Sequence, residues 1–177
     1  MSQRDSGYER KERDLYETPE WVTRALTDGH LRPPKIVWEP ACGSGKMVDA
    51  LGILDAEIFG TDIAGTDERD FLLCFPPFGC DAIITNPPYV LAQEFIERAL
   101  MFMKDVGGQV AMLLRTDFDH AKTRKHLFAE HPAFAKKVVL RRRIKWFEDS
   151  KGSPSFNHAW YVWDWQHAGA PVLAYAA

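Results

Sequence analysis

The chain has 177 residues, 46% of them hydrophobic, with a formal net charge of −3. That length supports one sizeable core and little more, and no apolar run reaches membrane-spanning length. Its cysteines, Cys42, Cys74 and Cys80, are odd in number and lack metal-site spacing, so a reducing, cytoplasmic setting is expected.

The first thirteen residues are charged and polar. They read as a flexible arm and not as a secretory signal. Glu17-Thr18-Pro19-Glu20 is a helix-start signal, with Thr18 as the cap, Pro19 in the first turn and Glu20 against the dipole. That helix is expected to carry Trp21, Val22 and Leu26 and to stop near Asp28-Gly29. Lys35-Ile36-Val37-Trp38 reads as a strand. Gly43-Ser44-Gly45 then opens a helix bearing Met47, Val48 and Leu51. Glu57-Ile58-Phe59-Gly60-Thr61 is a second strand ending at Asp62, and Asp70-Phe71-Leu72-Leu73 is expected to be a short third.

Asp81-Ala82-Ile83-Ile84-Thr85 is an apolar run of buried-strand type. The apolar positions of 93–104, namely Phe95, Ile96, Ala99, Leu100 and Met103, have helical spacing. The run 109–114 is a strong buried strand, and further strands are expected at 138–140, 144–147 and 160–163. Strands alternating with helices predict a single α/β domain over 14–166, with helices on both faces of a mostly parallel sheet. The late aromatic strands would close it as an antiparallel hairpin. Residues 167–177 read as a C-terminal tail.

Charge is unevenly spread. Lys136, Lys137, Arg141, Arg142, Arg143 and Lys145 crowd one segment, and Lys122, Arg124, Lys125 and His126 precede it. Such clusters can neutralise phosphates, although a run of charge on its own reads first as a solvated surface. His120, His126, His131 and His158 match no metal spacing and are read as surface or structural residues. Trp38, Trp160, Trp163 and Trp165 are read as packing residues.

Two constellations carry chemistry. The first is Glu39-Pro40-Ala41-Cys42-Gly43-Ser44-Gly45, directly after a strand. Its glycines allow a tight turn and close approach to a ligand. Asp62 ends the next strand, where an acid binds ribose hydroxyls in nucleotide-type α/β sites. Asp70-Phe71 would serve an adenine, with the carboxylate on its amine and the ring against its face. Val48 stands where a dinucleotide fingerprint needs its third glycine. Pro40 and Met47 break the phosphate-loop pattern. A ligand with ribose and adenine but no phosphate chain fits better, and S-adenosylmethionine has those parts.

The second constellation is Asn86-Pro87-Pro88-Tyr89, which follows the strand at 81–85. An Asn at a strand end, then two prolines and an aromatic, sets a hydrogen-bonding group beside a stacking surface. Such a site can hold a flat, amino-bearing substrate.

In these segments the chain resembles class I S-adenosylmethionine-dependent methyltransferases of the amino-methylating DNA group, in particular the small phage-type N6-adenine enzymes. Tyr16-Glu17-Thr18-Pro19 resembles the motif that precedes the cofactor site. Glu39 to Gly45 resembles the cofactor loop, and Asn86 to Tyr89 the catalytic motif. The segment from Phe156 to Asp164, with Asn157-His158-Ala159-Trp160, looks like the late strand region of the phage-type proteins.

The resemblance implies a Rossmann-like methyltransferase fold. It also implies cofactor contacts from Tyr16, Thr18, Pro19, Glu39, Ala41, Gly43, Gly45, Asp62, Ile63, Asp70, Phe71 and Asn86. Catalysis would fall to Asn86, Pro87, Pro88 and Tyr89 without a metal. Lys122, Arg124, Lys125 and Phe156 are candidate substrate contacts. DNA is the expected partner. RNA bases, protein glutamine and a non-catalytic nucleic-acid-binding role stay open, as does the oligomeric state. Recognition would have to come from loops or from another subunit, since no separate recognition domain is visible.

Overall fold

The computed structural model describes residues 16–64, 69–146 and 156–176. The expected arm at 1–13, Phe147 and the loop segment Gly152-Ser153-Pro154-Ser155 lie outside them. Among the described residues the elements run α1 (Glu20–Thr27), β1 (Ile36–Glu39), α2 (Lys46–Leu51), β2 (Glu57–Gly60) and β3 (Ala82–Thr85). There follow α3 (Ala92–Lys104), β4 (Gln109–Arg115), β5 (Phe134–Val139), β6 (His158–Asp164) and β7 (Val172–Tyr175). No described helix is long and apolar enough to cross a membrane.

The strands form one seven-stranded sheet in the order β2-β1-β3-β4-β6-β5-β7. All pairings are parallel except those of β6 with β4 and β5. The strands therefore run one way apart from β6, which closes the sheet as an antiparallel insert.

Alternation along β4 assigns the layers, because successive side chains point to opposite faces. Val110, Met112 and Leu114 pack with Phe95, Ile96 and Leu100 of α3. Ala111 and Leu113 pack with Val22 and Leu26 of α1 and with Met47 and Leu51 of α2. The strand is buried on both sides, which is why it reads as a continuous apolar run.

The N-terminal ends of the parallel strands are braced by polar groups. The Asp81 carboxylate accepts from the backbone of Lys35 and Ile36. Arg32 pairs with Asp164 at 3.2 Å, and its backbone N–H donates to Gln109 at 2.8 Å.

Several local expectations are corrected. The segment at 70–73 is a turn and not a strand. The N–H groups of Leu73 and Cys74 both bond the Asp70 carbonyl, and that of Leu72 bonds its carboxylate. This side chain competes with extended pairing and turns Phe71 under Trp38 and Phe95. No strand forms over 144–146 either. Both edges of β5 are already taken, by β6 and β7, so a strand there has no partner beside it.

At the start of α1, Pro19 occupies the cap position with extended backbone, and no side chain caps the helix. Thr18, expected as the cap, is instead buried at 4% exposure. Residues set aside as a tail supply β7, which pairs in parallel with β5.

Gly108, between α3 and β4, has no room for a side chain. A Cβ there would lie 2.6 Å from Met103 Sδ and 2.7 Å from the Asp81 carbonyl oxygen. Gly108→Ala is expected to lower stability by about 1–3 kcal/mol through overpacking. Urea unfolding measures it, and a midpoint equal to wild type would contradict the fit.

Candidate active site

In an open α/β sheet, ligands bind beyond the carboxyl ends of the strands, where the strand order reverses. Here that point lies between β1 and β3, since the chain goes from β1 outward to β2 and then returns to β3. Glu39 ends β1 and Asn86 follows β3. A cleft opens between them, lined by both residues and by Tyr16, Gly43, Asp62 and Phe71.

The turn after β1 follows from its glycines. Gly43 and Gly45 have φ of 53° and 91°, a left-handed backbone that disfavours other residues. The Gly43 N–H donates to Asp62 Oδ2 at 2.8 Å, and the Ala64 N–H to Asp62 Oδ1 at 2.9 Å. The carboxylate is thus fixed at the end of β2 and retains acceptor capacity toward the cleft. The glycine missing at Val48 is compensated across the interface. A Cβ on Gly60 would lie 2.7 Å from Val48 Cγ2, so Gly60 supplies the room that lets α2 lie close on β2.

Glu39 is 1% exposed. It accepts from the Ala41 N–H at 3.2 Å and, closely, from Thr85 Oγ1. Burial pushes its carboxyl up to about 8 and nearby Asp62 pushes the same way, against the two hydrogen bonds. The acid is therefore neutral near pH 7 and ties the end of β1 to that of β3.

Asn86 lies beside this pair. Its Nδ2 donates to the Tyr16 carbonyl at 3.1 Å. A carbonyl can only accept, which orients the amide and leaves Oδ1 on the other side. Oδ1 is buried and has no hydrogen-bond partner among the described residues.

Four rings form a closed circuit that meets the cleft at Tyr16. Tyr16 stacks on Tyr89 at 6.3 Å between centroids, and Tyr89 on His158 at 6.0 Å. Trp146 meets His158 and Tyr16, each at 5.3 Å. Of the two settings expected for His158, surface or structural, the surface one is excluded: it is 2% exposed, against Tyr89. Neither of its ring nitrogens reaches a partner at hydrogen-bond geometry among the described residues. Burial and the Arg115 charge lower its pKa to about 4, so it is a neutral imidazole. It escaped sequence reading because it begins the antiparallel insert β6, whose position in the sheet no local pattern reports.

Of the other expected residues, Thr18, Ala41, Ile63, Asp70 and Pro88 line the cleft. Pro19, Gly45, Pro87 and Tyr89 are not on its wall; Gly45 is the left-handed cap of α2. Lys46 and Glu17 form an ion pair that ties the N-terminal segment to α2, a link that separate motifs do not reveal. Lys122, Arg124, Lys125 and Phe156 lie away from the cleft. Arg124 covers the Phe118 ring at 3.8 Å and Arg115 the Phe156 ring at 4.1 Å, while Lys125 pairs with Glu130.

No family model matches the chain, and no curated protein matches it. Solved structures do. The methyltransferase subunit of a type I restriction-modification system from Streptococcus thermophilus superposes with a TM-score of 0.62 at 14% identity, over 86% of this chain and 45% of that one. A Listeria monocytogenes protein assigned to the class I S-adenosylmethionine-dependent methyltransferases gives 0.59 at 13%, over 89% and 62%. The 23S rRNA methyltransferase ErmE gives 0.52 at 15%, over 88% and 70%. The chain thus spans under two thirds of the first two. It has the Rossmann-like fold shared by these methyltransferases.

The two buried titratable groups predict opposite pH slopes of stability. Glu39 has a raised folded pKa, so its contribution is complete below about 4.5 and is lost as pH rises toward 8. His158 has a lowered one, so its contribution is lost as pH falls from 6.5 toward 4. Thermal melts from pH 4 to 9 should show Glu39→Gln removing part of the fall in stability between about 4.5 and 8. His158→Phe should flatten part of the acid slope; His30 and His131, shifted in the same sense, retain the remainder. Unchanged slopes in both variants would contradict these assignments.

Proposed function

We propose that this protein transfers the methyl group of S-adenosylmethionine to an exocyclic amine, adenine N6 in DNA. The observation that carries the reading is the Asn86 Oδ1 acceptor, buried and without a partner among the described residues, next to an aromatic circuit. Leaving a buried acceptor unsatisfied costs about 1–3 kcal/mol, a cost that an N–H donor on a bound substrate would remove.

The cleft suits the cofactor. The Asp62 carboxylate, held by two backbone N–H groups, would take the ribose hydroxyls. Asp70 and Phe71, on the same wall, would receive the adenine. Glu39 and the Tyr16–Thr18 strap close the cleft at the methionine end. S-adenosylmethionine supplies an electrophilic methyl on a sulfonium, so the protein need provide neither a metal nor a covalent nucleophile.

The amine is the difficult partner, because its lone pair is delocalised into the ring. Asn86 Oδ1 and the Pro87 carbonyl would each accept one of its N–H groups and turn the lone pair out of the ring plane. Pro87 and Pro88 restrict the residues before them to extended geometry. The acceptors are therefore positioned before substrate arrives, as electrostatic catalysis requires. Tyr89 would stack on the base. In a duplex the base must first leave the helix, at a cost of a few kcal/mol.

The likeness of fold to a restriction-modification methyltransferase supports DNA as the polymer, and the likeness to an rRNA methyltransferase makes RNA the competitor. Transfer of labelled methyl to DNA, RNA and protein pools, followed by identification of the modified unit, decides between them. N6-methyladenine in DNA is the expected product, and label confined to RNA or protein would refute the assignment. Asn86→Ala should lower the transfer rate at saturating cofactor about 100-fold or more, beyond any loss of cofactor affinity from the freed Tyr16 strap. Undiminished turnover in that variant would remove Asn86 from the mechanism.

A further inference from the structure

The basic segments 115–126 and 141–145 are separated in sequence, yet both lie at the carboxyl end of the parallel strands. Arg115 ends β4, and Arg141 to Lys145 follow β5. β6 lies between those strands. Arg115 is paired in register with His158 at the start of β6, and the Leu140 N–H bonds the His158 carbonyl at 3.2 Å. The ring circuit that contains His158 thus has one cationic lobe on each side.

These two segments hold eight Lys and Arg and two Asp in a chain of net charge −3. Both carboxylates are engaged within the fold, Asp117 by Arg115 and Asp119 by Lys137, and Lys125 is paired with Glu130 just beyond the segment. The opposite end has Asp55, Glu57, Asp81, Asp105 and Asp164 interspersed with Arg32, Lys35 and Lys104. The lobes also present flat, paired surfaces. Arg142 lies 3.9 Å above Trp21, Arg124 3.8 Å above Phe118 and Arg115 4.1 Å above Phe156. Behind Arg142, an open groove is lined by Arg24, Arg141, Trp21 and a single acid, Asp28. Not all the sequence's basic run takes part: Lys136 turns away to the His30 carbonyl and Lys137 inward to Asp119.

We propose that these two lobes form the nucleic-acid seat, gripping the sugar-phosphate backbone of duplex DNA on either side of a base turned into the ring circuit. This rests on the function proposed above and adds the place of the partner. A base that leaves a duplex keeps a phosphate on each side of its sugar, so a central slot needs cations on both flanks. Guanidinium groups held flat on rings lose little further freedom when they meet phosphate. An acidic protein partner would not require that bilateral arrangement.

Fluorescence anisotropy with a labelled adenine-containing duplex tests this across salt concentrations, in the presence of S-adenosylhomocysteine. Arg141→Ser/Arg142→Ser and Lys122→Ser/Lys125→Ser, one pair from each lobe, should each weaken binding about tenfold. Each should lower the slope of log affinity on log salt by about 0.9 for every phosphate that is no longer neutralised. Arg142→Lys keeps the charge and should keep most of the slope. Lys35→Ser/Lys104→Ser, at the other end, should bind as wild type, and all variants should hold S-adenosylhomocysteine equally well.

Lobe variants that bind the duplex like this control would overturn the proposal, as would wild type preferring an RNA hairpin to the duplex. If DNA is methylated yet the lobe variants bind normally, the seat is wrong and the methyltransferase reading stands. If the lobes bind DNA as expected but the protein takes up no cofactor, the seat stands and the methyltransferase reading fails.

Discussion

The two central strands end side by side, and a buried neutral carboxyl joins them. Glu39 closes β1, Thr85 closes β3, and their hydrogen bond holds the turn that starts the glycine loop beside the residue that precedes Asn86. The rest of the candidate site is referred to this link. Asp62 is placed by the loop that Glu39 begins, and Asn86 by the strand end that Thr85 completes. An ionised carboxylate there would face Asp62 in a dry setting. Protonation removes that repulsion and keeps the hydrogen bonds.

Around that link the molecule combines a rigid floor with a strap of different origin. The floor is the centre of the sheet, where β1, β3, β4 and β6 are buried. The strap is the segment from Tyr16 to Pro19, held by the Asn86 amide, by the ion pair of Glu17 with Lys46 and by stacking on Tyr89. It leaves Asn86 Oδ1 buried and without a partner among the described residues. Native proteins rarely tolerate such a group without a use for it. Under the proposed reading the methyl donor and the amine approach from the two sides of Asn86.

Much of the fold is legible in the residues. The continuous apolar runs at 81–85 and 109–114 mark strands buried on both faces, and the spacing of Phe95, Ile96, Ala99 and Leu100 marks a helix with one buried face. Gly43 and Gly45 announce a left-handed turn. Legibility fails where a local pattern depends on an unseen neighbour. The sequence at 144–147 has strand character, but β5 has no free edge to accept it. The sequence at 70–73 has the same character, and one carboxylate turns it. Residues 172–175 look like a tail until β5 offers them an edge.

The sequence by itself determined the grammar of strand, glycine turn, helix and acid, together with the Asn-Pro-Pro-Tyr motif. Each of these is contiguous, and each acts through backbone preferences of its own residues. Only the tertiary structure decided that β6 runs antiparallel between β4 and β5. That insertion brings His158 to Tyr89 and sets Arg115 and Arg141 on its two sides. Hydrophobic period reports which face of a strand is buried but not which strand lies beside it, so groups that meet across strands become visible only when the sheet is assembled.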